Sequence, residues 1–296
     1  MLIFKAHTKP ITAVAFSPEG TLLATASGTE RLVRLWQLSS EKPKKLHEWP
    51  IEFPTSLAFS PDSTIVAAGS LGRLAAWDVA TGAAAFDAKA GASSICCADD
   101  LIFAHGMMGT TRFSLPRGKR LEGDWNGETD EDLNYGAGPI ARTTSGDRVA
   151  SHFAPAQGPD SRFLVREIRT GKIVARFDQP KVSVQPIRAR FSHRDAMFAT
   201  TFGSEIVVWD VKTAQIAKTL SVGKKHVPDV AFTGHGATLV ATSNDQTIRR
   251  WNTQTWKEQE AYTWDIGKLA ALDVSNDECR IAAGGATGKV ILWDVA

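Results

Sequence analysis

Apolar residues along this chain fall into short runs that stop at tryptophan. LVRLW, RLAAW, EIVVW, TIRRW and KVILW end on Trp36, Trp77, Trp209, Trp251 and Trp293, and each tryptophan is followed by Gln, Asp or Asn. The intervals between them are 41, 132, 42 and 42 residues, and the long one is three periods of 44. Two more units with a replaced tryptophan fit that gap: Phe113 in TTRFSLPRGK aligns with Trp77, and Arg166 in RFLVREIRTGKI aligns with Trp209. Upstream of the anchors run AVAFSPEGTLLATAS (13–27), SLAFSPDSTIVAAGS (56–70), RARFSHRDAMFATTF (188–202) and DVAFTGHGATLVATS (229–243), with looser copies at 140–154 and 271–285. Apolar and polar positions alternate on both sides of a Gly-, Asp- or Pro-bearing turn, the pattern of a β-hairpin. A Thr-Gly-like turn (Ala80-Thr81-Gly82, Arg169-Thr170-Gly171) then leads into another strand. The pattern predicts seven units of four short antiparallel strands, a to d.

These residues resemble the WD-repeat β-propeller family, and the resemblance spans the whole chain. His7, nine residues before Phe16, matches the family's Gly-His element with Ala6 in place of glycine. The resemblance implies an all-β fold, a seven-bladed propeller of four-stranded antiparallel blades stacked around a channel. KVILWDVA ends on strand c of the seventh unit, and MLIFKAH precedes the first strand a. Residues 2–6 are therefore expected to supply the missing outer strand, closing the ring and covering a bare edge. On this reading residues 1–296 form one complete propeller domain with nothing appended. The family also sets a His, a Ser/Thr, an Asp and the Trp in a hydrogen-bonded group. Blade 1 offers His7, Ser27 and Trp36 with Glu30 at the Asp position. Blade 6 offers Ser243, Asp245 and Trp251 with Gly223 at the His position. Trp77, Trp209 and Trp293 stand for the rest. All are expected to be structural, since a buried indole N–H needs an acceptor.

Composition agrees with a globular chain: 43% hydrophobic and 22% charged residues exclude disorder and allow a sizeable core. No apolar run is long enough to span a membrane, and the N-terminus lacks a signal peptide's basic and apolar segments. Three cysteines, two of them adjacent (Cys96, Cys97) and one distant (Cys279), suit a reducing cytoplasm better than a disulfide framework. Catalytic motifs fail on context. His193-Arg194-Asp195 spells a kinase tripeptide but falls in an a–b turn, and Gly136-Ala137-Gly138 has no βαβ unit around it. Gly284 and Lys289 bound a poor echo of a phosphate loop. The seven histidines show no metal spacing along the chain, so neither catalytic residue, metal nor cofactor is expected.

Departures from the repeat point to partners. With a–b and c–d turns at one end, the bottom, the b–c turns and d-to-a links lie at the top. Two expansions fall at the top of neighbouring blades: the blade 3-to-4 link, around residues 123–138, and the blade 4 b–c loop, around 154–161. The link and the residue before it carry Glu122, Asp124, Glu128, Asp130, Glu131 and Asp132 without Lys or Arg, together with Trp125 and Tyr135. Two readings stand. One is solvated loops lengthened by drift, which loops tolerate. The other is an acidic rim with aromatic anchors for a basic protein or peptide. Trp49 and Trp264 occupy the Gly position of their Gly-His elements and are further candidates, with packing against outer strands as the plain alternative. Lys42, Lys44, Lys45, Lys224, Lys225, Arg249 and Arg250 are too dispersed for a nucleic-acid surface. The expectation is a monomeric, non-catalytic interaction scaffold. The alternatives are an enzyme or small-molecule binder at the channel mouth, and a purely structural subunit of an assembly.

Overall fold

The computed structural model describes residues 1–38, 42–107, 109–121, 138–154, 161–180 and 184–295. Its strands form seven antiparallel sheets of four. Six blades follow chain order; in blade 1, strands a to d are Ala13–Phe16, Leu22–Ser27, Leu32–Gln37 and Lys44–Pro50. Blade 7 takes strands a to c from Leu269–Val274, Arg280–Gly285 and Lys289–Asp294, and its outer strand from Leu2–Lys5. Leu2 pairs with Leu292, Ile3 with Ile291, Phe4 with Val290 and Lys5 with Lys289, so the amino end closes the ring as expected. Among the described residues the helical structure is a 3-10 turn, His193–Asp195, and no helix is long and apolar enough to cross a membrane.

Each strand c has six residues and carries its anchor at the fifth: Trp36, Trp77, Phe113, Arg166, Trp209, Trp251 and Trp293. In blades 1, 2, 4, 5 and 6 the pairing of c with d slips beside that residue. A bulge sharpens right-handed twist, and in these blades, as in blade 7 without a slip, strand d lies against the next blade. Its aromatic side chains then meet the next anchor: Phe4 on Trp36 (5.1 Å between ring centres), Trp49 on Trp77 (4.9 Å), Phe86 on Phe113 (6.3 Å), Phe177 on Trp209 (6.2 Å) and, just past the end of its strand, Trp264 on Trp293 (5.1 Å). The core is accordingly divided into apolar clusters that each join two neighbouring blades. Leu35 and Trp49 pack with Val66 and Trp77, for example, and Phe103 with Val149. A blade alone would leave its faces in water, so the ring is the stabilising unit.

Polar residues of the repeat close the turns. Asp78, Asp210 and Asn252, each next to an anchor, accept from the backbone N–H of Thr81 (2.7 Å), Thr213 (2.8 Å) and Thr255 (2.9 Å). The carboxylate or amide after the tryptophan is thus an Asx turn that sets the c–d hairpin. In the a–b turns Ser17, Ser60, Ser192 and Ser275 accept from the N–H five residues on, at 3.0, 2.9, 2.8 and 2.9 Å.

Candidate functional site

Blade 1 holds a complete polar network. The Trp36 indole N–H donates to Thr25 Oγ1 (3.0 Å), which lies 2.9 Å from His7 Nε2, and His7 Nδ1 lies 2.7 Å from Glu30 Oε2. The hydroxyl between indole and imidazole is Thr25, in mid-strand, and not Ser27. Ser27 donates to the Pro10 carbonyl (2.7 Å) and pins the b–c turn. Burial holds the His7 imidazole below its ordinary value against the pull of Glu30, so this is a dry structural joint. In blade 6, Asp245 accepts from Thr247 N–H (3.0 Å) and Arg249 (2.9 Å). Partial burial alone would raise its pKa, but bonds from Thr247 and Arg249 outweigh that and bring it to about 2. Among the described residues the partners of the Asp245 carboxylate are Thr247 and Arg249, and Gly223 stands at the His position.

Of the candidate partner-binding residues, Trp125, Glu128, Asp130, Glu131, Asp132 and Tyr135 lie outside the described residues, as does most of the 154–161 loop. Trp49 is 5% exposed, stacks on Trp77 and donates its indole N–H to the Gly82 carbonyl at 2.8 Å. It is a joint between blades 1 and 2, with no face open to a partner. Trp264 is half-buried between Tyr262 and Trp293.

The top face presents a different group. Phe53 lies in the link from blade 1 to blade 2, Leu71 in the blade 2 b–c turn and Met107 in the blade 3 b–c turn; they are 52%, 69% and 67% exposed. Phe53 and Leu71 share a groove of about 660 Å³ with Glu52, Arg73, Asp87 and Lys89. A Cβ at Gly91 would sit 3.7 Å from the Leu71 carbonyl oxygen and 3.9 Å from the Met107 nitrogen, which makes Leu71 and Met107 neighbours. Arg31 stacks over the Phe53 ring, its guanidinium 4.8 Å from the centre.

Charged side chains from several blades meet in the channel. Near its top, Arg188 of blade 5 reaches across to the Thr55 carbonyl of blade 2 (3.3 Å) and sits 3.5 Å from Asp229. Lower down, a cavity of about 240 Å³ is lined by strands a, with Cys96, Arg142, Arg190 and Asp273 among its walls. Asp229 accepts from Leu272 N–H (3.0 Å) and Asp273 from Phe16 N–H (2.8 Å), so each carboxylate ties one inner strand to the next. Desolvation pushes the Asp273 carboxyl up to about 6, against the pull of Arg190 at 3.8 Å. Burial likewise pushes the Cys96 thiol up to about 12, leaving it inert.

At the bottom face, histidines that are scattered along the chain converge in space. The a–b turns of blades 5, 6 and 7 bring His193, His235 and Glu278 together, their ligand atoms all within 4.8 Å of one another. Local spacing does not reveal this group, because each blade supplies one member. A comparison of the same turn across successive repeats would have found it.

Comparison with known proteins agrees with the architecture. The family model described as WD domain, G-beta repeat matches residues 1–37, 45–78 and 216–252. A stretch of 100 residues is 31% identical to protein tipD of Dictyostelium discoideum, covering 33% of this chain and 16% of that protein. A stretch of 67 residues is 31% identical to an uncharacterized WD repeat-containing protein, sll1491, of Synechocystis sp., covering 23% of this chain and 19% of that protein. The matched stretches thus span less than a fifth of either curated relative. Three matched repeats, set in a closed ring of seven four-stranded blades, are consistent with a propeller of the WD-repeat kind.

Proposed function

We propose that the chain is a non-catalytic scaffold that captures a protein or peptide on its top face. WD-repeat propellers generally serve as protein-interaction scaffolds and are typically non-catalytic. The observation that carries the proposal here is the ridge of Phe53, Leu71 and Met107, exposed side by side on blades 1 to 3. Large apolar side chains scattered singly over a surface mean little, but a contiguous set rimmed by charge marks a contact surface. Arg73, Asp87, Glu52 and Lys89 supply the rim. The acidic residues Glu128, Asp130, Glu131 and Asp132, with Trp125 and Tyr135, follow blade 3 in sequence and suit a basic partner, whose approach they would speed more than they would tighten its grip. Three unbonded cysteines support a reducing, cytoplasmic setting.

Affinity purification with mass spectrometry tests the reading with two variants. Leu71→Glu with Met107→Glu should abolish capture, and lysine at 130, 131 and 132 should weaken it, with melting temperatures unchanged. Unchanged recovery in the first variant rejects the ridge; unchanged recovery in the second rejects the acidic sector.

A further inference from the structure

We propose that His193, His235 and Glu278 form a binding site for a divalent transition metal, with zinc as the best match, that staples the bottom turns of blades 5, 6 and 7. Two imidazoles and one carboxylate are a donor set that zinc favours, and three protein ligands leave one position for water or an incoming group. His193 Nδ1 already lies 3.5 Å from Glu278 Oε1, and the rings of His193 and His235 stand edge to face with centres 4.8 Å apart. Donors about 2.0–2.1 Å from a tetrahedral zinc are separated by roughly 3.4 Å. Closing from 4.8 Å therefore takes small side-chain rotations. His193 and His235 have room for them, since the first is half-buried and the second exposed.

The backbone prepares the group. His235 sits at φ 56°, between Gly234 at 62° and Gly236 at 84°, and Glu278 sits at φ 56°. The turn position of Glu278 is left-handed at Gly20, Ser63, Gly146, Asp195 and Gly236 too, so the turn shared by the blades sets this backbone, and at blades 6 and 7 it carries His235 and Glu278. The His235 backbone N–H donates to Glu278 Oε2, and Thr233 Oγ1 donates to the Glu278 carbonyl (2.8 Å). The first bond orients the carboxylate while Oε1 faces His193, the kind of outer support that metal-binding carboxylates use. Blade 5 is held close as well: a Cβ at Gly236 would meet the His193 nitrogen at 3.7 Å. Beside the group opens a cavity of about 560 Å³, lined by His193 and Glu278 together with Arg190 and Asp273, which leaves the fourth position accessible. Asp195 does not compete for the ion, because its oxygens accept from Thr144 and Ser145.

The test uses the full chain after chelator treatment, with zinc chloride alone as the ligand in calorimetric titration and thermal melts, and cobalt(II) as an optical probe. One zinc per chain should bind saturably and raise the melting temperature, and cobalt should show the intense visible bands of a four-coordinate site. His193→Ala, His235→Asn and Glu278→Gln should each weaken binding at least tenfold; asparagine tolerates the left-handed backbone at 235. His226→Ala, an exposed histidine elsewhere, should leave binding unchanged. Melts without metal show whether each variant folds, and His193→Ala decides if the strained turn positions do not tolerate change. Absence of one-to-one binding, wild-type affinity in His193→Ala, or equal loss in His226→Ala overturns the site.

Discussion

Replacing Asp273 with asparagine should stabilise the propeller at neutral pH, although it removes a charge from a salt-bridged position. The carboxyl titrates near 3.8 when unfolded and at about 6 in the ring. That difference of about 2 units, at about 1.4 kcal/mol each, sets an upper bound near 3 kcal/mol for the cost of holding the charge in the channel. The sign follows from proton uptake. Between about pH 4 and 6 the native state binds more protons than the unfolded chain, so stability falls as pH rises through that window and stays reduced above it. Asparagine keeps an acceptor for the Phe16 N–H and has no charge to desolvate. Against this, Arg190 loses a partner 3.8 Å away, but it is one-third exposed and also donates to the Ala189 carbonyl. The net gain expected for Asp273→Asn is about 1–2 kcal/mol at pH 7.5, shrinking toward zero near pH 4. Urea unfolding of both proteins at pH 4.5, 6 and 7.5 measures it directly. A difference that does not change with pH, or a variant less stable at pH 7.5, would refute the argument from desolvation.

Asp245 has the opposite sign. With its pKa depressed to about 2, its contribution is full above about pH 4 and vanishes as pH falls through 2, so Asp245→Asn should cost about 1 kcal/mol at pH 7 and nothing at pH 2. The same denaturant series detects this. Gly288 tests the closure of the ring: it has φ 78°, its carbonyl accepts from the N–H groups of Ala6 and His7, and a Cβ there would lie 2.1 Å from the His7 carbonyl oxygen. Gly288→Ala should destabilise by more than about 1 kcal/mol. Deletion of residues 1–6 should bare the edge of strand c in blade 7 and promote aggregation, checked by light scattering and melting. A truncated chain that stays dispersed and melts normally would show that the outer strand is dispensable.

The ring was legible because its signal repeats. Phe113 and Arg166 contain no tryptophan signature, yet both occupy the fifth place of a six-residue strand c, where register alone put them. The period also located the outer strand contributed by Leu2–Lys5. What stayed hidden depends on twist and on contacts between blades. Trp49 and Trp264 read as top-face residues from the Gly position of their Gly-His elements, but contacts between blades bury Trp49 against Trp77 and leave Trp264 half-buried against Trp293. Ser27 and Thr25 are both small hydroxyl residues on one strand, two positions apart and therefore on one face. Only the position of the indole nitrogen chooses Thr25.

The same geometry explains why functional candidates were harder to read than the fold. A strand repeats its message at every second residue, whereas a propeller face is assembled from single residues, one turn per blade. Phe53, Leu71 and Met107 come from one link and two b–c turns, and it is in the ring that Phe53 and Leu71 come to line one groove. His193, His235 and Glu278 are related in the same way at the opposite end. The members of this second group therefore recur at about the repeat length, 42 and 43 residues apart, instead of at the short spacings of helical or hairpin sites. Aligning the a–b turns blade by blade, and asking which neighbouring copies carry complementary side chains, recovers His193, His235 and Glu278 from the order of residues alone, whereas Phe53, in a link, meets Leu71, in a b–c turn, only in the folded ring.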